Sequence, residues 1–92
     1  MGYKFEWDPR KAAANLKKHG VSFEEAITAF GDPLSLNMPD PDHSEGEQRF
    51  IVVGTSARSR RLVVSYTDRP PRTRIISARL ANRREGRQYE EQ

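Results

Sequence analysis

Apolar and polar positions alternate with two different periods along this chain. Tyr3, Phe5 and Trp7 alternate with Lys4 and Glu6, the period of a half-buried strand. Asp8-Pro9 stops that strand and opens a helix, Asp as N-cap and Pro within the first turn. The helix is predicted to run through Ala12, Ala13, Ala14 and Leu16 to Lys17-Lys18-His19, with Gly20 as its stop. Ser22-Phe23-Glu24-Glu25 has the form of a capping box and opens a second helix to about Phe30, with Val21 and Ala26 placed as a hydrophobic staple. Gly31-Asp32-Pro33 ends it.

Leu34 to Met38 alternates again as a short strand, and Pro39 to Gln48 reads as an exposed acidic loop. Three Val- and Ile-rich segments follow: Arg49–Gly54, Arg61–Thr67 and Thr73–Ala78. Their spacing predicts an antiparallel meander, with Asp68–Arg72 as a five-residue hairpin loop. From Leu80 to about Glu91 the chain reads as helix, interrupted by Gly86, which costs roughly 1 kcal/mol against alanine in a helix interior. The order is β-α-α-β-β-β-β-α, an α+β domain with helices against an antiparallel sheet.

Length limits how well such a domain is supported. Ninety-two residues allow one domain, residues 1–92, with a small core. Hydrophobic residues are 35% of the chain and charged residues 32%, so stability is modest and a partner is expected to add to it. There is no cysteine, which excludes a disulfide scaffold, a thiol nucleophile and a Cys-based zinc site, and fits a cytoplasmic home. No apolar run is long enough to span a membrane, and the start from Met1 to Glu6 has neither a signal-peptide nor a myristoylation pattern.

Charge changes the picture more than composition does. Residues 1–48 carry five Lys/Arg and nine Asp/Glu, whereas residues 49–92 carry eleven and four, and all eleven are arginine. Arginine offers a planar fork of donors suited to phosphate and carboxylate, so the second half reads as a surface for a polyanion. Arg79, Arg83 and Arg87 recur every four residues and form a stripe if the last segment is one helix. Arg72 and Arg74 share strand parity with Ile76 and Ala78, and Arg79 has the opposite parity. Arg74 and Arg79 therefore meet only if the strand bends or ends between them.

Other candidates are open to two readings each. His19 is either a helix C-terminal cation or an acid/base group in a basic neighbourhood. His43 lies in Asp40-Pro41-Asp42-His43-Ser44-Glu45-Gly46-Glu47, but an EF-hand needs glycine where Glu45 stands, so no metal is expected. Trp7 and Tyr66 are either base-stacking platforms or core anchors, and so small a core favours the second. No phosphate-binding Gly-rich loop and no nucleophile elbow is present.

Several phrases together resemble one family. Phe5-Glu6-Trp7-Asp8-Pro9, Lys11, Asn15 and Lys18-His19-Gly20-Val21-Ser22-Phe23-Glu24-Glu25-Ala26 are similar to the start of BrnT proteins, toxins of bacterial type II toxin–antitoxin pairs. The likeness continues through His43-Ser44-Glu45-Gly46-Glu47, Arg49-Phe50, Arg74-Ile75-Ile76-Ser77-Ala78-Arg79, Arg83-Arg84-Glu85 and Tyr89-Glu90. Gly86 departs from it, standing where an Arg-Arg-Glu-Arg run would place arginine.

The resemblance implies a RelE-like fold, ribonuclease activity that halts translation, and no cofactor. It also implies neutralisation by a BrnA-type ribbon-helix-helix antitoxin, through which the complex reaches operator DNA. Such a site performs transesterification: the ribose 2′-OH attacks the adjacent phosphate, a base takes its proton and an acid protonates the departing 5′-oxygen. Arg74 and Arg79 are the first choices for stabilising charge on phosphorus, and His19 for proton transfer, with Lys18 beside it. Lys11, Arg49, Arg83 and Arg87 are expected to bind RNA, and Glu45, Glu47 and Tyr89 are further possible proton carriers. Two other classes fit the same arginines: a non-catalytic nucleic-acid-binding module, and an interaction protein holding an acidic partner.

Overall fold

A computed structural model describes residues 4–43 and 46–92; Tyr3 of the first predicted strand and Glu45, a candidate proton carrier, lie outside the described residues. The chain runs β1 (Phe5–Glu6), α1 (Pro9–His19), α2 (Phe23–Thr28), β2 (Leu36–Pro39), β3 (Arg49–Thr55), β4 (Arg61–Arg69), β5 (Arg72–Leu80) and α3 (Arg83–Glu90). The predicted α+β order holds, with short 3-10 turns added at Ala29–Gly31 and Pro41–His43. The sheet order is β1-β5-β4-β3-β2. Strands β2 to β5 are antiparallel, but β1 joins β5 in parallel, Phe5 opposite Thr73 and Glu6 opposite Arg74. A parallel neighbour needs a long crossover connection, and everything between β1 and β5 supplies it.

Helix ends follow the local signals with one exchange. Asp8 accepts a hydrogen bond from the Arg10 N–H at 2.8 Å. Gly20 closes α1 at φ 70°, its N–H donating to the Leu16 carbonyl at 2.9 Å. Ser22 accepts from the Glu25 N–H at 3.0 Å, but the Glu25 side chain does not return to the cap. It turns inward to Ser56 and Arg60 instead. The reciprocal capping box forms at the other end of the chain, where Asn82 accepts from the Glu85 N–H at 2.8 Å and Glu85 from the Asn82 N–H at 2.9 Å. That cap delays the last helix. The chain from Thr73 stays a strand through Leu80, which pairs with Leu62, and Arg79 is therefore a strand residue. The expected stripe of Arg79, Arg83 and Arg87 keeps only its last two members on α3. The expected five-residue hairpin loop is also shorter, because Arg69 and Arg72 pair and leave Pro70-Pro71 as the link.

The two faces of the sheet carry different helices. Val21, Phe23, Ala26 and Ala29 pack with Val52, Leu62, Val64, Ile75 and Ala78 on the α1–α2 side. Trp7 meets Phe23 edge-on at 5.9 Å, and Tyr66 lies 5.0 Å from Phe30 and 5.6 Å from Phe50. Both aromatics serve the core. On the other face α3 lays Tyr89 against Val53 and Val63, and the Tyr89 hydroxyl donates to Asp32. Gly86 is buried on this inner side of α3, where a Cβ would stand 3.4 Å from the Arg61 guanidinium. Arg61 in turn lies 4.8 Å above the Tyr89 ring and 3.4 Å from Glu90. The position that weakens the helix by propensity is thus the seat of an arginine.

A β-bulge decides where the later arginines go. Ser65 pairs with Ser77 and Tyr66 with Ile75, so Ile76 has no residue opposite it. One extra residue reverses the alternation of faces. Ile75 before the bulge and Ala78 after it both face α1 and α2. Arg74, Ser77 and Arg79 consequently share the α3 side, which corrects the parity count made from sequence.

Candidate functional site

Three ranks of side chains cross the α3 side of the sheet, each fixed by strand register. Arg49, Thr67 and Arg74 form the first, Ile51, Ser65 and Ser77 the second, and Val53, Val63 and Arg79 the third. A groove of 300 Å³ opens over them, lined by Arg49, Ser65, Ser77 and Arg79, with Asp40 and His43 reaching in from the loop after β2. The groove therefore combines two guanidinium groups, two hydroxyls and an imidazole beside a carboxylate.

Arg79, Arg74 and His43 each have a defined partner. Arg79 donates from both terminal nitrogens to Glu85, at 2.7 and 2.8 Å, and from Nη1 to the Leu80 carbonyl at 3.3 Å. The Arg79 guanidinium holds the Glu85 carboxyl below the usual carboxylate range. Because Glu85 also caps α3, the first turn of that helix fixes the arginine that ends the groove. Arg74 lies 2.9 Å from Glu6 on the neighbouring β1. His43 Nδ1 is 3.0 Å from Asp40 Oδ2.

A second groove, of 220 Å³, lies where β5 runs on past the two residues of β1 and α1 comes alongside. It is lined by Lys11, Asn15, Lys18, His19, Ile76 and Ser77. Asn15 is buried here and serves as the neighbour β5 lacks. Its amide donates to the carbonyls of Ala78 at 2.8 Å and Val21 at 2.9 Å, and its oxygen accepts from the Ala78 N–H at 3.0 Å. Ser77 lines both grooves, so the two meet across the edge of β5.

The residues singled out from sequence are thus divided. Arg49 and Arg79 share the first groove, while Lys11, Lys18 and His19 share the second. Arg74 stands on the face of the first groove with Glu6 as its partner. Arg83 and Arg87 are exposed on α3. Glu47 accepts both hydrogen bonds of an Arg69 fork, at 2.7 and 2.8 Å, and Arg69 holds its carboxyl low. Tyr89 is buried under α3. Sequence reasoning gave no site role to Asp40, His43, Ser65, Ser77 or Glu85. Asp40 and His43 are three apart, a signal only once a turn is known to join them.

Among the described residues no group of three or more His, Asp or Glu side chains is gathered as a metal ion requires. Among the same residues no helix is long and apolar enough to cross a membrane.

The family model for the ribonuclease toxin BrnT of type II toxin–antitoxin systems matches residues 7–85, a span that includes both grooves and the Arg79–Glu85 pair. No curated protein matches the sequence. Among solved structures, the chain is similar to the Brucella abortus ribonuclease toxin BrnT, with a TM-score of 0.70 over 89% of this chain and 100% of that one. The two are 23% identical, and the likeness is one of fold. The match over residues 7–85 places this chain in the BrnT family of ribonuclease toxins of type II toxin–antitoxin systems.

Proposed function

We propose that this chain is a single-domain, RelE-like toxin that cuts RNA in the cytoplasm by metal-independent transesterification and so stops translation. The observation that carries this reading is the β-bulge at Ile76, which sets Arg79 on the same face as Arg49, Arg74, Ser65 and Ser77. In the reaction the 2′-OH attacks the adjacent phosphorus, the bond from phosphorus to the 5′-oxygen breaks, and 2′,3′-cyclic phosphate and 5′-OH ends result. Arg79, with Arg74 further along the same face, meets the charge that develops on the phosphoryl oxygens. Fixed cations are most effective there because they need no reorganisation as charge builds. Arg49, Lys11, Arg83 and Arg87 hold the RNA backbone. His19, with Lys18 beside it, protonates the leaving 5′-oxygen from the second groove.

The cognate partner in this reading is a BrnA-like ribbon-helix-helix antitoxin that covers the arginine-bearing face and takes the complex to operator DNA. Binding only the folded toxin, it also stabilises it, by roughly 4 kcal/mol at a thousand-fold excess over Kd.

Purified toxin is expected to cleave RNA in EDTA, and Arg79→Ala to lower the rate by about 10²- to 10³-fold, or about 3–4 kcal/mol of lost charge stabilisation. Loss of all cleavage in EDTA with recovery on adding a divalent ion refutes the metal-independent route. Tight RNA binding without cleavage refutes catalysis altogether and leaves a binding module.

A further inference from the structure

We propose that His43 is the general base of the reaction and that Asp40 is its positioning residue. This rests on the ribonuclease reading of the Arg79 groove and names the group in that groove that takes the 2′ proton. The arginines there stay protonated and cannot accept one, and the neutral hydroxyls of Ser65 and Ser77 are too weakly basic to take it. Of the two remaining polar side chains, the Asp40 carboxylate is engaged with His43, which leaves the imidazole as the exposed proton acceptor of the groove.

The geometry is that of an oriented imidazole. Nδ1 lies 3.0 Å from Asp40 Oδ2, and an ionised carboxylate only accepts, so Nδ1 carries the hydrogen and Nε2 is the basic nitrogen. The Asp40 side chain is 14% exposed and the His43 ring 67%, an anchored carboxylate beside a reachable base. Backbone contacts fix the pair to the sheet. The Asp40 N–H donates to the Arg49 carbonyl at 2.8 Å and the His43 N–H to the Asp40 carbonyl at 3.3 Å. The turn at Pro41–His43 is thus tied to the first residue of β3, whose own side chain lines the groove. The charged groups facing the imidazole are Asp40 from its own turn, Arg49 from β3 and Arg79 from β5, the last carrying Glu85 of α3.

In the step, neutral His43 Nε2 takes the proton of the 2′-OH as that oxygen bonds to phosphorus. The 5′-oxygen leaves with a proton from the opposite side, from His19 in the proposed arrangement. Both imidazoles return to their starting states by exchange with water, so no atom is gained or lost.

The test measures kcat and KM on end-labelled messenger RNA, with and without ribosomes, for wild type, His43→Gln, His43→Gly, Asp40→Asn, His19→Gln and Arg79→Ala, each checked for folding by circular dichroism. His43→Gln is expected to lower kcat by about 10²- to 10⁴-fold with KM nearly unchanged. Asp40→Asn should lower kcat less and change the pH profile on its acidic side. His43→Gly should recover part of its activity when imidazole is added, a rescue that a merely structural histidine would not give. If wild type cleaves, Arg79→Ala does not, and His43→Gln keeps the wild-type rate, the base lies elsewhere and the proposal is overturned while the ribonuclease reading stands. If wild type itself cleaves nothing, both fall.

Discussion

Replacing Asn15 by alanine removes one side chain and unpairs three buried backbone groups. The amide holds the Ala78 carbonyl, the Ala78 N–H and the Val21 carbonyl at 2.8, 3.0 and 2.9 Å. Each buried group left without a partner costs about 1–3 kcal/mol. The second groove borders Asn15, so water can reach part of the vacated space and satisfy one of the three. The remaining two give an expected loss of about 2–6 kcal/mol. For a domain of this size each kcal/mol lowers Tm by roughly 4–8 °C, so the melting temperature should fall by at least about 8 °C. Urea unfolding followed by circular dichroism measures the loss directly. The same change bears on activity, because Ala78 precedes Arg79 and a loosened edge misplaces the guanidinium. Cleavage at a temperature where the variant is folded should therefore fall as well. A stability loss under about 1 kcal/mol would refute the reasoning, since it would mean that β5 holds its edge without the amide.

Three further outcomes follow from the same contacts. Arg60, by its hydrogen bonds, holds the buried Glu25 carboxyl below its usual range against the opposing effect of burial, with Ser56 and Arg58 adding to it. A carboxyl lowered on folding stabilises fully above its unfolded value near ~4.3 and loses that contribution as pH falls through its lower folded value, so Tm should drop steeply in that acid range for wild type and less so for Glu25→Gln. Gly86→Ala should raise stability by about 0.5–1 kcal/mol, because a Cβ there meets Arg61 only at ordinary contact distance; a lowered Tm would show that Arg61 has no room to adjust. Lys11→Ala should weaken RNA binding and reduce its dependence on salt while kcat is unchanged, and a fall in kcat at constant KM would move this lysine into the chemistry.

Most elements were legible because their signals are local. Asp8, Gly20 and Ser22 mark helix ends through bonds made within a turn, and the alternation of Val and Ile marks β3 to β5. The errors come from contacts between distant residues. Glu25 has the right spacing for a capping box, but Arg60, thirty-five residues away, attracts its carboxylate more strongly than the cap does. The last helix starts late because Arg79 and Leu80 continue to pair with Val63 and Leu62, which no window around Leu80 reveals. The arginines were visible as a class and their partners were not. Glu85 and Glu6 reach Arg79 and Arg74 only through the fold, and Asp40 meets His43 only once the chain turns. Asn15 carried a faint mark, a polar residue in an alanine-rich helix, whose meaning depends on β5 lying beside it.

Ile76 matters more for standing outside the ladder than for its side chain. Many substitutions there leave the reading of β5 intact, and deleting it would leave Ile75, Ser77, Ala78 and Arg79 in simple alternation with Arg79 still on the groove side; drawing Ile76 into the ladder at unchanged length would instead turn Arg79 toward α1 and α2. A strand paired that way would keep every arginine in its composition and lose the groove's end. Two relatives of equal length here, one with the bulge and one without, would thus differ in which side of the sheet bears the charge, although residue-by-residue comparison would score them as nearly the same. Pairing register at this point is a functional property in its own right.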